Sequence, residues 1–499
     1  LIEAGLLGAL AGAAALSVTY FGTAVLTSLF PANVLGLADA AVNWRVVAFT
    51  GAASMLTVML FGVVPALWGS RTDVGQTLKK SGGGSVTKAS GLLRGLIVSQ
   101  VALALTLLIG AGLLMNSFVR LASVDPGFDH DGVLAVDVRL PPWQLGEYQS
   151  WAQITALYRE ITARVEAVPG VRSVSSVGAP PLNLSDDRWP ITIQDRPSAT
   201  FEENLRADFR YASPGYFRTM GIPVIRGREF TDQDDGGVER PAAAPAVVSE
   251  AMARQFWPGK DPLGKIFYWG RSDLEAGESD NRYPPSPQFT VVGIVGDVKT
   301  LGPDMPPRPQ VYSTAFVYQS KDRTVMVRTA GDPLKVADAV RRAVLSVDEN
   351  DLTLTLSTMD SKISTALDRP CFYVAMASTL ATVALILVVP GLYGVVSYLM
   401  SRRTHEFGLR IAMGARPDHL LKMVMGQGVM LVAAGVALGL VGAVILTRFL
   451  SAYLFGISPL DPITFVVVAA VLAGVALMAN AVPAQRASRV DPIIALRAD

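Results

Sequence analysis

The sequence predicts an α-helical membrane protein with six transmembrane helices and one large α+β domain outside the membrane. Three observations predict this fold class: six long stretches without charged residues, an uneven distribution of basic residues between loops, and one 250-residue segment with the patterns of a soluble domain. Of the 499 residues, 51% are hydrophobic and 17% are charged, whereas soluble chains carry about 25% charged residues. An entirely soluble enzyme is therefore disfavoured.

The predicted transmembrane helices are stretches of at least 24 residues that contain no Asp, Glu, Lys or Arg: residues 4–38, 46–70, 95–119, 370–401, 423–447 and 462–485. A helix of about 20 apolar residues, rising ~1.5 Å per residue, crosses the ~30 Å hydrocarbon core of a bilayer. The first stretch lacks the basic region that begins a signal peptide, and the chain starts at Leu1. We therefore expect an N-terminally truncated segment of a longer chain.

The orientation follows from the basic residues. Thirteen lie in the loop at 71–94, in the loop between the fourth and fifth stretches and after the sixth, whereas Arg45 and Arg448 alone lie in the other short loops. Because basic residues accumulate in cytoplasmic loops, the 13-residue side and the C-terminus are predicted to be cytoplasmic. Residues 120–369 are then outside, with 28 basic and 34 acidic residues, while the remainder has 15 basic and 8 acidic residues. The net charge of +1 disfavours a nucleic-acid partner.

An internal repeat relates the ends of the second and sixth stretches. The motif Val64-Pro65-Ala66 recurs 418 residues later as Val482-Pro483-Ala484, and the Ser, Arg, Asp, Leu and basic residues that follow it recur at the same offset. We interpret residues 1–70 as the last two helices of a first permease unit, which correspond to the fifth and sixth stretches. The chain is then expected to hold all of a second unit, whose permease domain is residues 370–499.

The outside segment alternates between strand and helix patterns. The spacing of apolar residues predicts two βαβ units, with strands and helices at 132–140, 148–168 and 171–177, and at 323–329, 333–347 and 352–356. Between them, about 205–318, short strands are predicted at 210–212, 246–248, 265–269, 289–295 and 311–317. The expected architecture is a split βαβ lobe with an inserted β-rich lobe.

Several motifs suggest chemistry but miss the required spacing. Gly293 to Lys299 is no P-loop, because no glycine precedes the lysine. The carboxylates Asp232, Asp234 and Asp235 lack the alternating spacing of a calcium loop, and a solvated turn is favoured. With three histidines and the single Cys371, no nucleophile–base arrangement is evident, so we predict no enzyme activity and no cofactor.

Two further patterns have simpler explanations than a functional site. Asp129-His130-Asp131 contains metal-ligand types but no partner cluster, which favours an ordinary loop and no metal site. Gly8 and Gly12, and likewise Gly435 and Gly439, share the four-residue spacing that lets membrane helices approach closely. Since no charged residue lies within the six stretches, a proton-coupled pump is disfavoured.

The cytoplasmic segment 401–420 is predicted to form a short amphipathic helix along the membrane surface. Phe407 and Ile411 share one face, and Glu406 and Arg410 have the i,i+4 order that favours a helical ion pair. An interfacial helix without a partner would show the same pattern. The functional alternative is a docking element for a cytoplasmic protein.

The residues around these elements resemble a known family. Leu392-Tyr393-Gly394-Val395 leading into residues 402–416 resembles the FtsX/MacB-type permease domain of ABC transporters. The segments 216–223 (YFRTMGIP) and 227–230 (GREF), together with those at 248–250, 256–259, 261–264 and 291–298, resemble the MacB-like periplasmic core domain. The duplication without a fused ATPase is similar to the orphan permeases of that superfamily, although Pro390 and His405 depart from the expected pattern.

The resemblance implies a permease subunit in a bacterial inner membrane that transmits motion from a separate cytoplasmic ABC ATPase to the periplasmic domain, for export or envelope-component transport. Besides the ATPase and the lipid bilayer, a periplasmic adaptor or envelope protein is an expected partner. The docking role falls on six residues of the predicted coupling helix: Arg403, Glu406, Gly408, Arg410, Gly414 and Arg416. The alternative is a signalling scaffold that moves no substrate and regulates an envelope enzyme or sensor.

Overall fold

The computed structural model describes residues 2–29, 43–59, 84–140, 151–183, 188–194, 205–235, 243–269, 288–314, 322–348, 352–401 and 417–488. The chain divides into two compact units, residues 1–121 with 368–499 and residues 122–367. We call them the helical unit and the mixed unit.

The helices of both units are α1 (Ile2–Leu29), α2 (Trp44–Val58), α3 (Gly84–Ala122), α4 (Trp151–Glu166), α5 (Tyr216–Met220), α6 (Glu250–Phe256), α7 (Ala337–Leu345), α8 (Met359–Ser401), α9 (Pro417–Leu450) and α10 (Pro462–Ser488). The strands are β1 (Val133–Arg139), β2 (Val171–Val177), β3 (Arg188–Ile193), β4 (Leu205–Tyr211), β5 (Val224–Gly227), β6 (Ala244–Ser249), β7 (Ile266–Trp269), β8 (Gln288–Val295), β9 (Gln310–Ser313), β10 (Arg323–Thr329) and β11 (Thr353–Thr358).

Five helices are long and apolar enough to cross a membrane within the part of the chain that the structure describes. Their spans are Gly8–Val25, Arg94–Ala122, Met359–Ser397, Gly428–Tyr453 and Pro462–Ala481. The helix α2 begins the second charge-free stretch, whose residues 60–70 lie outside the described residues. The count of six transmembrane helices therefore stays a prediction.

The helical unit has an apolar core formed by residues of α3, α8, α9 and α10. Its members are aliphatic side chains at helical spacing, and the most buried include Leu105, Leu113, Leu392, Ala443 and Leu472. Much of the remaining helix surface is exposed and apolar, as expected for helices that face lipid. The helix α8 continues through Pro390, since it runs without a break from Met359 to Ser401.

The mixed unit contains a four-stranded antiparallel sheet in the order β11-β1-β10-β2. The units β1-α4-β2 and β10-α7-β11 interleave, so that β10 lies between β1 and β2, and β1 lies between β10 and β11. Alternate residues of these strands pack against α4 and α7 in one apolar cluster. This is the topology of a split βαβ layer.

A second, seven-stranded sheet has the order β5-β8-β6-β9-β4-β3-β7. Because β7 also pairs with β8, six of these strands close into a small barrel, with β5 attached to β8. Closure leaves fewer free strand edges, and the interior is filled by side chains that include Phe209, Phe267 and Phe289.

The barrel corrects one boundary and adds two unpredicted strands, β3 and β5. The strand β3 pairs with both β4 and β7, so the inserted lobe begins at Arg188 and not near residue 205. Pro190 hid this strand, because proline is rare inside paired strands. The proline is tolerated since it pairs on one side alone, with Arg206.

The short helix α5 gives the segment 216–223 its structural role. Tyr216, Phe217 and Met220 are almost fully buried in a cluster that contains residues of both sheets. Glycines with positive φ bound the helix, Gly215 at 76° and Gly221 at 66°. A side chain at the second glycine would meet Asp129 Cβ at 2.8 Å, so both the backbone angle and the close approach require glycine.

Candidate functional site

The predicted docking residues Arg403, Glu406, Gly408, Arg410, Gly414 and Arg416 lie outside the described residues. The structure describes the two helices that flank them, α8 ending at Ser401 and α9 beginning at Pro417. Proline is favoured at the first position of a helix, because the backbone N–H that it lacks would have no partner there. The docking assignment therefore stays a prediction.

Glycines of α9 form a close contact with α3. A Cβ at Gly435 would lie 2.7 Å from Val101 Cβ, and one at Gly439 would lie 2.8 Å from the Ala102 carbonyl oxygen. Thr106 adds a hydroxyl that donates to the Gly439 carbonyl oxygen at 3.1 Å. The sequence prediction that Gly435 and Gly439 serve helix packing is confirmed.

In the first glycine pair, Gly12 makes a comparable close contact. A Cβ at Gly12 of α1 would lie 3.1 Å from Ser54 Oγ of α2. The two helices therefore approach closely at this small residue.

Two amide side chains lie at contacts between helices of the helical unit. Gln100 of α3 donates through Nε2 to the Leu387 carbonyl oxygen of α8 at 2.6 Å. Asn480 of α10 is fully buried against Gly428 of α9, and neither of its side-chain polar atoms has a hydrogen-bond partner among the described residues. Sequence reasoning missed both, because it searched the six stretches for charged residues alone.

His130 takes part in a cluster that the sequence interpretation did not foresee. Its Nδ1 lies 2.5 Å from Asp360 Oδ1 and 3.3 Å from Asp131 Oδ1. These three residues could each offer a ligand atom to a metal. However, the carboxylates are 86% and 55% exposed, and the contacts with His130 already account for their arrangement. The geometry fits a largely solvent-exposed hydrogen-bonded cluster that links the segment before β1 to the first turn of α8.

The acidic segment after β5 forms a turn, as the sequence interpretation favoured, but it is not solvated throughout, because Asp234 is half-buried and Asp235 is buried. Asp234 accepts hydrogen bonds from Arg228 Nη1 at 2.5 Å and from the Thr231 backbone N–H at 2.8 Å. Burial raises the pKa of Asp234, but these hydrogen bonds and the guanidinium charge outweigh it and hold the pKa below its ordinary value. Asp235 is 5% exposed and contacts Arg159.

The segment from Gly293 to Lys299 is not a phosphate-binding loop. Gly293 lies within β8, and a Cβ there would overlap the Arg228 carbonyl oxygen. Lys299 Nζ donates to the Pro303 carbonyl oxygen at 2.8 Å. The glycine therefore serves strand packing, and the lysine side chain binds its own loop.

A cavity in the mixed unit has a volume of about 690 Å³. Lys362 and Asp137 form an ion pair at 3.3 Å in its wall, beside hydroxyl groups of Thr324 and Ser361. No His or Cys is among the described residues that line it.

Long apolar helices that pack through glycines, joined by α3 and α8 to a separate α+β unit, are typical of a membrane protein with a large extramembrane domain. Residues 378–492 match the FtsX-like permease C-terminal domain, and residues 95–343 match the MacB-like periplasmic core domain. The chain belongs to the FtsX-like ABC transporter permeases that carry a MacB-like periplasmic core domain. Neither matched domain is an ATPase domain.

Curated relatives support the same family. The chain is 26% identical over 311 residues to the probable syringafactin export ATP-binding/permease protein SyfD of Pseudomonas syringae, covering 59% of this chain and 43% of that protein. It is 23% identical over 297 residues to the macrolide export ATP-binding/permease protein MacB of Mannheimia succiniciproducens, covering 56% and 42%. The chain therefore matches less than half the length of each relative.

Two solved structures with similarity to this chain are extramembrane domains. The periplasmic region of MacB from Actinobacillus actinomycetemcomitans aligns with 12% identity and a TM-score of 0.31, covering 48% of this chain and 94% of that one. The extracellular domain of the transporter YknZ from Gram-positive bacteria aligns with 15% identity and a TM-score of 0.28, covering 45% and 99%.

Proposed function

We propose that this chain is the permease part of an ABC transporter, and that it passes motion from a separate cytoplasmic ATPase to the mixed unit. The curated relatives are named as exporters, which favours export across a bacterial inner membrane. The family assignment supports the ATPase partner, and the 13 basic residues in alternate loops support a cytoplasmic C-terminus and a periplasmic mixed unit.

One observation carries the proposal: α3 and α8 are long helices without a break. They contain 39 and 43 residues, which at ~1.5 Å per residue correspond to about 58 and 65 Å. Each exceeds the ~30 Å hydrocarbon core. A continuous helix transmits displacement along its length because its backbone hydrogen bonds resist bending, and in α8 this ladder is weakened at Pro370 and Pro390, which lack a backbone N–H.

The docking step is proposed to use the segment 401–420, which connects α8 to α9. Glu406 and Arg410 would form an ion pair on one face of the coupling helix, with Arg403, Gly408, Gly414 and Arg416 completing the surface. Motion of this segment would reach α8 directly, since the helix ends at Ser401.

The test is co-purification of the detergent-solubilised chain with an ATPase identified by mass spectrometry. We expect the unaltered chain to recover an ABC ATPase and the double variant Glu406→Ala with Arg410→Ala to lose it. The matched control is Arg71→Ala with Asp73→Ala, which removes the same two charges from another predicted cytoplasmic loop. Equal recovery by the two double variants would contradict the docking assignment, and no ABC ATPase with the unaltered chain would contradict the function.

A non-transporting scaffold remains the second candidate, favoured by the absence of charged residues from all six apolar stretches. Its distinguishing outcome is recovery of the ATPase without ATP-dependent export from proteoliposomes. In that case, co-purification of an envelope hydrolase or a histidine kinase would identify the regulated partner.

A further inference from the structure

Among the described residues, a side-chain hydrogen bond joins α3 to α8 close to a proline of α8. Gln100 Nε2 of α3 donates to the Leu387 carbonyl oxygen of α8 at 2.6 Å. Three residues further along α8 lies Pro390, which has no backbone N–H. The carbonyl of Ile386, four residues before the proline, therefore lacks its regular helical donor. The Gln100 amide binds the next carbonyl of this weakened turn.

Gly391 provides the space for this amide. A Cβ at position 391 would lie 2.9 Å from Gln100 Nε2 and 3.0 Å from its Cδ, and closer still to its Oε1. At Gly394, one turn further on, a Cβ would meet no atom within 4 Å. The glycine at 391 thus lets the amide lie directly against the backbone of α8.

The surroundings of the contact are apolar. Ile97 and Val101 of α3 are 2% and 1% exposed, and Val388 and Leu392 of α8 are each 1% exposed. No charged residue occurs in residues 95–119 or 370–401. An amide without a hydrogen-bond partner is costly in such an environment, so the bond from Gln100 favours one position of α3 relative to the weakened turn.

We propose that Gln100 is a positioning residue that ties α3 to α8 across the proline, through its hydrogen bond to the Leu387 carbonyl before Pro390 and its contact with Gly391 after it, so that the part of α8 beyond Pro390 moves together with α3. The proposal rests on the proposed function, in which α8 receives motion from the docking segment. The bonded carbonyl of Leu387 lies 14 residues before Ser401, between that segment and the mixed unit along the chain. Without the tie, motion of the end of α8 would be absorbed at the proline.

The test measures distances between spin labels in the full chain, reconstituted in nanodiscs after replacement of the single native cysteine, Cys371→Ala. One label pair, at Leu103 and Gly394, reports the part of α8 beyond the proline; a second, at Leu103 and Leu380, reports the part before it. These three positions are exposed. We expect Gln100→Leu to broaden the first distance distribution and leave the second unchanged.

Two variants separate a tie from ordinary packing. Ser99→Ala is the matched control, because the Ser99 hydroxyl donates to the Leu96 carbonyl of its own helix; it should change neither distribution. Gln100→Glu can donate a hydrogen bond only when protonated, so its first distribution should be narrow in acidic buffer and broad in alkaline buffer. The distribution of the unaltered chain should not respond to pH.

An unchanged first distribution in Gln100→Leu would overturn the proposal. Equal broadening of both distributions would also overturn it, because that would indicate a general packing defect. A first distribution of Gln100→Glu that does not change with pH would overturn it as well. The measurement requires no ATPase. Failure to recover an ATPase would therefore remove the proposed function while the distances still decide whether Gln100 positions α8.

Discussion

The contact between α3 and α9 allows a quantitative prediction for Gly439→Ala. The added Cβ would lie 2.8 Å from the Ala102 carbonyl oxygen, 2.9 Å from Leu105 Cβ and 3.0 Å from Ala102 Cα. Ordinary contacts between such atoms are about 3.5–4.0 Å. Since two of the three opposing atoms belong to the backbone, no side-chain rotation relieves the overlap, and α3 must move away from α9 by roughly 0.5 Å.

The expected cost follows from that displacement. Overpacking of this kind costs about 1–3 kcal/mol, and the retreat of α3 also stretches the hydrogen bond from Thr106 to the Gly439 carbonyl oxygen, now 3.1 Å. Bonds between membrane helices contribute about 0.6 kcal/mol on average. Alanine gains ~1 kcal/mol over glycine through helix propensity, which partly conceals the loss.

The matched control cancels the propensity gain. Gly474 lies in α10, and a Cβ there would meet no atom within 4 Å, so Gly474→Ala gains the propensity without the overlap. The two variants should then differ by about 2 kcal/mol, or ~4–8 °C in Tm on the scale of domains of 150–250 residues. Thermal unfolding of the purified chain in detergent measures this difference. A Gly439→Ala Tm equal to or above that of Gly474→Ala would refute the assignment of a tight helix contact.

Two further predictions concern the mixed unit. Phe217 is 1% exposed, and its ring centroid lies 5.1 Å from that of Tyr312. Phe217→Ala should lower the free energy of unfolding by about 3–5 kcal/mol, measured by denaturant unfolding of the full chain. A decrease as small as that caused by Phe217→Leu would contradict the role of this ring between the two sheets. Because the folded pKa of Asp234 is below its ordinary value, its carboxylate stabilises the fold above the unfolded pKa, and that contribution is lost as pH falls through the folded value. Asp234→Asn should therefore lower Tm at neutral pH, and the difference in Tm between the unaltered chain and this variant should become smaller below about pH 4. A Tm difference that does not depend on pH would contradict the pairing of Asp234 with Arg228.

Local patterns were sufficient to predict most of the mixed unit. The strands at 171–177 and 323–329 were predicted with the boundaries that the structure has, because each is a short β-branched run between turn residues. The closure of the barrel was not predictable in this way. It depends on the pairing of β7 with β8 and on β3, whose proline made a local reading fail.

Contacts between distant segments were the second kind of information that local patterns lack. Asp129-His130-Asp131 gave no indication of Asp360, which is 230 residues away in sequence and yet lies 2.5 Å from His130 Nδ1. The sequence interpretation of an ordinary loop was incomplete for this reason. A side-chain hydrogen bond of this type needs no fixed spacing in sequence, so neither residue carries a signal of the other.

The amides of the helical unit differ, because a sequence signal for them exists. The six charge-free stretches contain only six Asn or Gln residues: Asn33, Gln100, Asn116, Gln427, Asn480 and Gln485. Polar side chains inside membrane helices are costly unless paired, so each is a candidate contact between helices. Pro390 adds a second signal, since it leaves a carbonyl in α8 without its helical donor. An amide in one helix and a proline in another together indicate where a side chain can bind beside a weakened turn. Gln100 lies at such a place, because it binds the carbonyl next to the one that Pro390 leaves without its helical donor.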